Sequence, residues 1–314
     1  VRGTVIPGSL NGCAARPGKG RSVHDFADIA TRPYDYGDIL GKSLKGVFGR
    51  RFPDLFLPLL VPLVVHGILY YAVALDATKT LIEIDGRARQ GLDPGFPDEF
   101  WAAWSRSMVV GVVGALLYAL AVVHVLLRMR QAVLGWEVPV GQTFRQAADP
   151  PRYLSFVVTC LAASIGIAAG ALFCLLPGLI LMAFLALAPV GAAFADRGFE
   201  LPLARSFRLV SGRFGRTCGV LLTLLASLIV LGMLVSLPLL AGMMCSGAAL
   251  LESPDSDAFF REYVARLASP GMVVYQIASG IVSVLGQLVL GFAAVVMYFN
   301  YTLVPRRPAP GSAA

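Results

Sequence analysis

Few residues in this chain could do chemistry inside an apolar environment, and two of them are histidines. His66 lies in the run FPDLFLPLLVPLVVHGILYYAVAL, and His124 in the run that stops at Arg128-Met129-Arg130. An ionisable group in such a run is a functional candidate by default, because burying its charge is expensive. At the helical rise per residue, His66 lies about 20 Å in from Pro53 and His124 about 6 Å in from Arg128. That mismatch, about 14 Å, argues against one joint metal or proton site. His66 divides between a buried, hydrogen-bonded neutral imidazole and a proton or substrate role. His124 reads as a side chain snorkelling to the interface.

The last apolar run holds a second polar set. Ser279, Ser283 and Gln287 share one helical face, with Gln276 and Asn300 nearby in sequence. Hydrogen bonds between helices are the usual reason for such groups, and a substrate path is the alternative. The cysteines at 13, 160, 174, 218 and 245 show no metal-ligand spacing. Cys174 and Cys245 fall near the same ends of their runs, which leaves a disulfide open. No Ser/His/Asp set, phosphate-binding loop or H-E-x-x-H motif is present, so no metal or other cofactor is expected.

The elements that must position these groups are membrane spans. Of the 314 residues 57% are apolar and 14% charged, with mean hydropathy +0.72, against about 45–50% and 25% in soluble domains. Six runs qualify, at about 52–75, 106–127, 152–174, 178–195, 217–245 and 272–303. The expectation is an all-α polytopic protein: residues 1–35 a disordered cytoplasmic tail, 36–304 the membrane domain, 305–314 a short cytoplasmic tail. Pro58 and Pro62 are expected to bend the first span. Ala162, Gly166 and Gly170 give the third span a small-residue face for close approach, and Pro177-Gly178 makes a tight hairpin with the fourth. Phe260, Val264 and Leu267 form the apolar stripe of a short surface helix in the last acidic connector.

Charge sets the orientation. Twenty of the 26 Lys and Arg and nine of the 19 acids fall on one side of this six-span reading, net +11, leaving the other side net −4. The positive-inside rule then places both termini in the cytoplasm, in a bacterial inner membrane. The basic residues belong to amphipathic segments suited to the headgroup layer. Lys42, Lys45, Arg50, Arg51, Arg145, Arg152, Arg205, Arg208 and Arg213 are the candidate lipid-binding or partner-binding residues. Anionic headgroups are the expected partner, a membrane protein or second copy the other class such faces serve, and nucleic acid is not expected.

Three of these segments resemble one another: Gly41-Lys42-Ser43-Leu44-Lys45, Gly141-Gln142-Thr143-Phe144-Arg145 and Ala204-Arg205-Ser206-Phe207-Arg208. Each reads small, polar, hydroxyl, apolar, basic. An Arg and an aromatic follow, at Arg51-Phe52, Arg152-Tyr153 and Arg213-Phe214, and each leads into an odd-numbered span. The pattern predicts three parallel repeats of an interfacial helix plus a two-span hairpin.

At Pro177-Gly178-Leu179-Ile180, Ala188-Pro189-Val190 and the stretch from Ala204 to Phe214, the chain resembles the membrane domain fused to some bacterial glycerophosphoryl diester phosphodiesterases and the related YciC-like multipass family. The likeness covers roughly residues 36–304. Where that family places a Glu after the second proline, Asp196 is the nearest acid. The resemblance implies about six spans with amphipathic connecting helices and a poorly defined role. The phosphodiesterase chemistry of that family resides in a separate soluble barrel, and this chain has neither a His-Arg-Gly motif nor a metal-binding carboxylate cluster.

The expected function is therefore non-catalytic, with the basic helices engaging anionic lipid or a partner in membrane organisation or an accessory role. A permease component moving a lipid or small amphiphile is the alternative. An intramembrane enzyme is third, because no span holds Asp or Glu at its middle.

Overall fold

The computed structural model describes residues 16–17, 26, 28–89, 98–194, 201–251 and 270–304. The expected tails 1–15, 18–25 and 305–314, and the expected helix at Phe260, Val264 and Leu267, lie outside them. The fold is all-α, with six helical stretches among the described residues long and apolar enough to cross a membrane. This is a multipass membrane protein.

The described helices are α1 (Tyr36–Val47), α2 (Phe52–Arg89), α3 (Asp98–Leu134), α4 (Val140–Ala147), α5 (Pro150–Phe173), α6 (Leu175–Leu185), α7 (Ala188–Phe194), α8 (Pro202–Ser211), α9 (Phe214–Leu251) and α10 (Pro270–Leu303). Their starts follow local chemistry. Asp35 caps α1, accepting from the Asp38 amide at 2.8 Å while the Asp38 carboxylate accepts from the Asp35 amide at 3.4 Å. Proline opens α5 and α8, where a missing N–H costs nothing.

Two expected boundaries move. The first span's apolar stretch ends near Val73, but α2 continues to Arg89 without interruption at Pro58 or Pro62. No further proline follows until Pro94, so nothing stops the helix at the point where hydropathy falls. The fourth span is divided: α6 ends at Leu185 and α7 begins at Ala188, just before Pro189. Proline lacks the N–H that would bond Leu185, so the helix is broken there.

The chain forms two compact units. The first comprises residues 1–55, 119–224 and 288–314, and contains α1, α4–α8 and parts of α2, α3, α9 and α10. Its hairpin of α5 and α6 is close-packed: a Cβ on Gly170 would lie 2.9 Å from Leu181 Cδ1, and one on Gly178 3.0 Å from the Ala171 backbone. Gly166 sits on the same face, opposite Leu185. A left-handed Gly135 (φ 68°) turns the chain after α3. Trp136–Glu137 beyond it pairs antiparallel with Arg16–Pro17.

The second unit comprises residues 56–118 and 225–287. Glycines again mark close approaches, with Gly114 against His66, Gly280 against Leu63 and Gly286 against Leu228. Ser236 and Tyr275 join α9 to α10 through a 3.2 Å hydroxyl pair.

Candidate functional site

The tail expected to be disordered through residue 35 is corrected here, because 28–35 folds onto the end of α10. Asn300, 1% exposed, is the anchor. Its Oδ1 accepts from the Tyr34 amide (3.0 Å), and its Nδ2 donates to the carbonyls of Ile29 (3.0 Å) and Arg32 (2.9 Å). Phe26, Ile29 and Tyr34 are buried, the Phe26 ring 5.9 Å from that of Phe292. A segment poor in apolar residues is ordered because these three and one buried amide share a single docking surface.

Asp28 completes this latch. Its carboxylate accepts from Tyr34 (2.6 Å), Lys42 (2.9 Å) and Arg32 (3.1 Å). Burial opposes its ionisation, but those three hydrogen bonds hold it well below the usual carboxylate range. Burial, then the Asp28 carboxylate, push the Tyr34 phenol upward. Lys42, expected to face lipid, instead lies half-buried over the Tyr34 ring at 4.9 Å.

The other expected basic residues separate into two groups. Lys45, Arg50, Arg145 and Arg208 are exposed. Arg51, Arg152, Arg205 and Arg213 are half-buried and turned to protein groups. Arg213 donates to the carbonyls of Tyr301 (2.8 Å) and Val304 (2.6 Å), closing the end of α10, and lies 4.7 Å above the Tyr301 ring. Arg152 donates to the Gln146 carbonyl at the end of α4 (2.9 Å), and Arg51 to that of Trp136 (3.4 Å). Arg205 stands 5.2 Å above the Tyr298 ring. Helix ends leave carbonyls unsatisfied, and a guanidinium fork fits them. These four candidate lipid-binding or partner-binding residues therefore each engage a group of the protein itself.

Helices α1, α4 and α8 share a burial pattern. The hydroxyl residues Ser43, Thr143 and Ser206 are buried, as are Val47, Ala147 and Val210 four positions on. Between them Leu44, Phe144 and Phe207 are 45%, 50% and 44% exposed, each followed by an exposed cation. The hydroxyls bond differently: Ser43 to Ile39 O (2.5 Å), Thr143 with Gln131 (3.0 Å), Ser206 to Phe184 O (2.6 Å). Phe207 also stacks on Phe184 at 4.1 Å.

His124 is 3% exposed, its ring 6.0 Å from that of Phe144, which overturns the snorkelling expectation. His66 and His124 belong to different units. His66 is half-buried and faces Gly114. Gln287 accepts from the Tyr118 hydroxyl and donates to Ser283 Oγ at 3.4 Å, while Ser279 is half-buried beside them in sequence. Cys174 carries a free, exposed thiol. No group of three metal-ligating side chains occurs among the described residues.

Arg128, counted for topology but not among the candidate site residues, is 7% exposed and joins three elements. It donates to Asp54 (3.0 Å), Val138 O (2.8 Å) and Gln131 (3.2 Å). Its place four residues after a buried histidine, at the end of a span, was the available signal. Comparison with known proteins finds no matching family model, no matching curated relative and no matching solved structure.

Proposed function

We propose that this is a non-catalytic protein of the bacterial inner membrane, both termini cytoplasmic, that holds anionic lipid headgroups against basic faces of α1, α4 and α8. One observation carries the reading: Leu44-Lys45, Phe144-Arg145 and Phe207-Arg208 each pair a half-exposed apolar side chain with an exposed cation. An apolar group beside a cation suits the acyl and headgroup boundary. The matched burial on the three helices supports descent from a threefold repeat, and the excess of Lys and Arg on one side supports the orientation. Kinship with the membrane domains fused to glycerophosphoryl diester phosphodiesterases belongs to the same proposal, without their enzymatic role. The permease reading draws less support, because Gln287 is engaged with Tyr118 and Ser283.

The test is K45Q/R145Q/R208Q in native mass spectrometry from mixed micelles. Each cation near an anionic surface contributes about 1 kcal/mol, so loss of three reduces selective retention of phosphatidylglycerol by up to about a hundredfold. Unchanged retention overturns the proposal.

A further inference from the structure

The hairpin of α5 and α6 ends in a tip without a charged or hydrogen-bonding side chain. No Asp, Glu, Lys, Arg or His lies between Arg152 and Asp196, and from Ile165 to Ala195 no side chain carries a hydroxyl, an amide or a charge. The two other connectors on that side of the six-span reading, 76–105 and 246–270, are rich in acids. Yet the tip stands clear of the protein. Leu172 and Phe173 are 87% and 90% exposed, more than any other large apolar residue among the described residues, and Leu176 is 63% exposed.

These side chains continue an established surface. On α5, Leu154, Val158, Leu161 and Ile165 form an exposed stripe at helical spacing, and Leu172 lies two turns further along it. In a multipass protein such an outward stripe lies against acyl chains, which are as apolar as leucine. The backbone suits the same surroundings. Only Cys174 stands between α5 and α6, and its amide donates to the Gly170 carbonyl at 3.3 Å. Pro177 removes an amide from the first turn of α6, where the helix itself offers no acceptor. A turn with one non-helical residue leaves few backbone groups bare, as hydrocarbon demands. Length agrees: from Arg152 to Phe173 the helix rises about 32 Å, against a hydrocarbon core of about 30 Å.

We infer that the tip is an interaction surface for lipid acyl chains, with Leu172, Phe173 and Leu176 seated in the leaflet opposite α4 and α8, below its headgroups. The tip uses none of the basic residues of α1, α4 and α8, so it stands or falls separately from their engagement with lipid.

The experiment places a nitroxide on Cys174, an exposed free thiol at the tip, in the full chain carrying C13A, C160A, C218A and C245A. The protein is reconstituted in vesicles of phosphatidylethanolamine and phosphatidylglycerol. Power saturation then compares collisions with oxygen, which concentrates among acyl chains, and with a water-soluble nickel chelate. Labels at L161C, on the stripe, and S256C, in the acidic connector, calibrate the two extremes. The expected result is a several-fold preference for oxygen at Cys174, as at L161C. Preference for nickel puts the tip in water, and few collisions with either puts it against protein; both overturn the inference. Should the cysteine-depleted background fail to fold, p-benzoylphenylalanine in place of Phe173 in the otherwise native chain gives a second measurement. Irradiation in the same vesicles is expected to yield lipid adducts, whereas adducts chiefly to residues 246–269 or to a second copy overturn the inference.

Discussion

Replacing Asn300 with Leu tests the latch between the N-terminal segment and α10. The substitution conserves size but removes three hydrogen bonds, leaving the Tyr34 amide and the carbonyls of Ile29 and Arg32 without their partner. Each orphaned buried group costs about 1–3 kcal/mol. The three do not add fully, because the segment can lift off and let water reach them. Local opening is thus favoured by about 3 kcal/mol, a fall of about a hundredfold in hydrogen-exchange protection at Tyr34. Asn300→Asp is the sharper companion. It keeps an acceptor for the Tyr34 amide but turns a carboxylate oxygen on two carbonyls, so it loses at least as much. The assay is exchange mass spectrometry in micelles, with the interior of α1 as control. Unchanged Tyr34 protection in N300L, or an equal loss throughout α1, would refute the reasoning.

Two further outcomes follow from the same unit. Asp28 has a folded-state pKa depressed below its ordinary 3.8, so its contribution is present above 3.8 and lost as pH falls toward the folded value. Protection of Tyr34, corrected for intrinsic exchange, is expected to be flat from neutral pH down to about 5 and to decline below about 4, with D28N removing that acid step. Within α1, a Cβ on Gly46 would overlap the Phe292 ring, whereas one on Gly41 meets nothing within 4 Å. G46A should therefore lower the melting temperature through overpacking of about 1–3 kcal/mol, while G41A is neutral or stabilising by up to about 1 kcal/mol. Equal melting of the two variants contradicts the packing described.

Hydropathy marks spans because a bilayer demands long apolar helices, and all six expected runs fall in helices of that kind. It marks their ends less well: helix continues through Arg89 where apolarity has stopped, and breaks at Ala186–Leu187 where apolarity has not. The close approach of Gly170 and Gly178 was legible, since small residues at fourfold spacing suit one purpose above others. The latch was not. Gly, Pro and charge dominate residues 1–35, and the group that orders 28–35 lies 266 positions from Tyr34. Asn300 was visible as a polar residue in an apolar run, but no local pattern names its partner.

The cations show most clearly where charge counting stops being informative. Every Lys and Arg on one side of a membrane protein contributes alike to topology, yet here they divide by position within each segment. The cation after the exposed apolar residue stays at the surface: Lys45, Arg145 and Arg208. The arginine just before or within the first turn of the following span turns inward to a carbonyl at a helix end or turn: Arg51, Arg152 and Arg213. Arginine suits the second place because its fork can reach backbone oxygens while remaining charged, which a lysine does less well. Exposed cations and carbonyl-bonded arginines thus occupy different places among the nine expected residues. Arg51 makes the longest of these carbonyl bonds, 3.4 Å against 2.6–2.9 Å for Arg152 and Arg213.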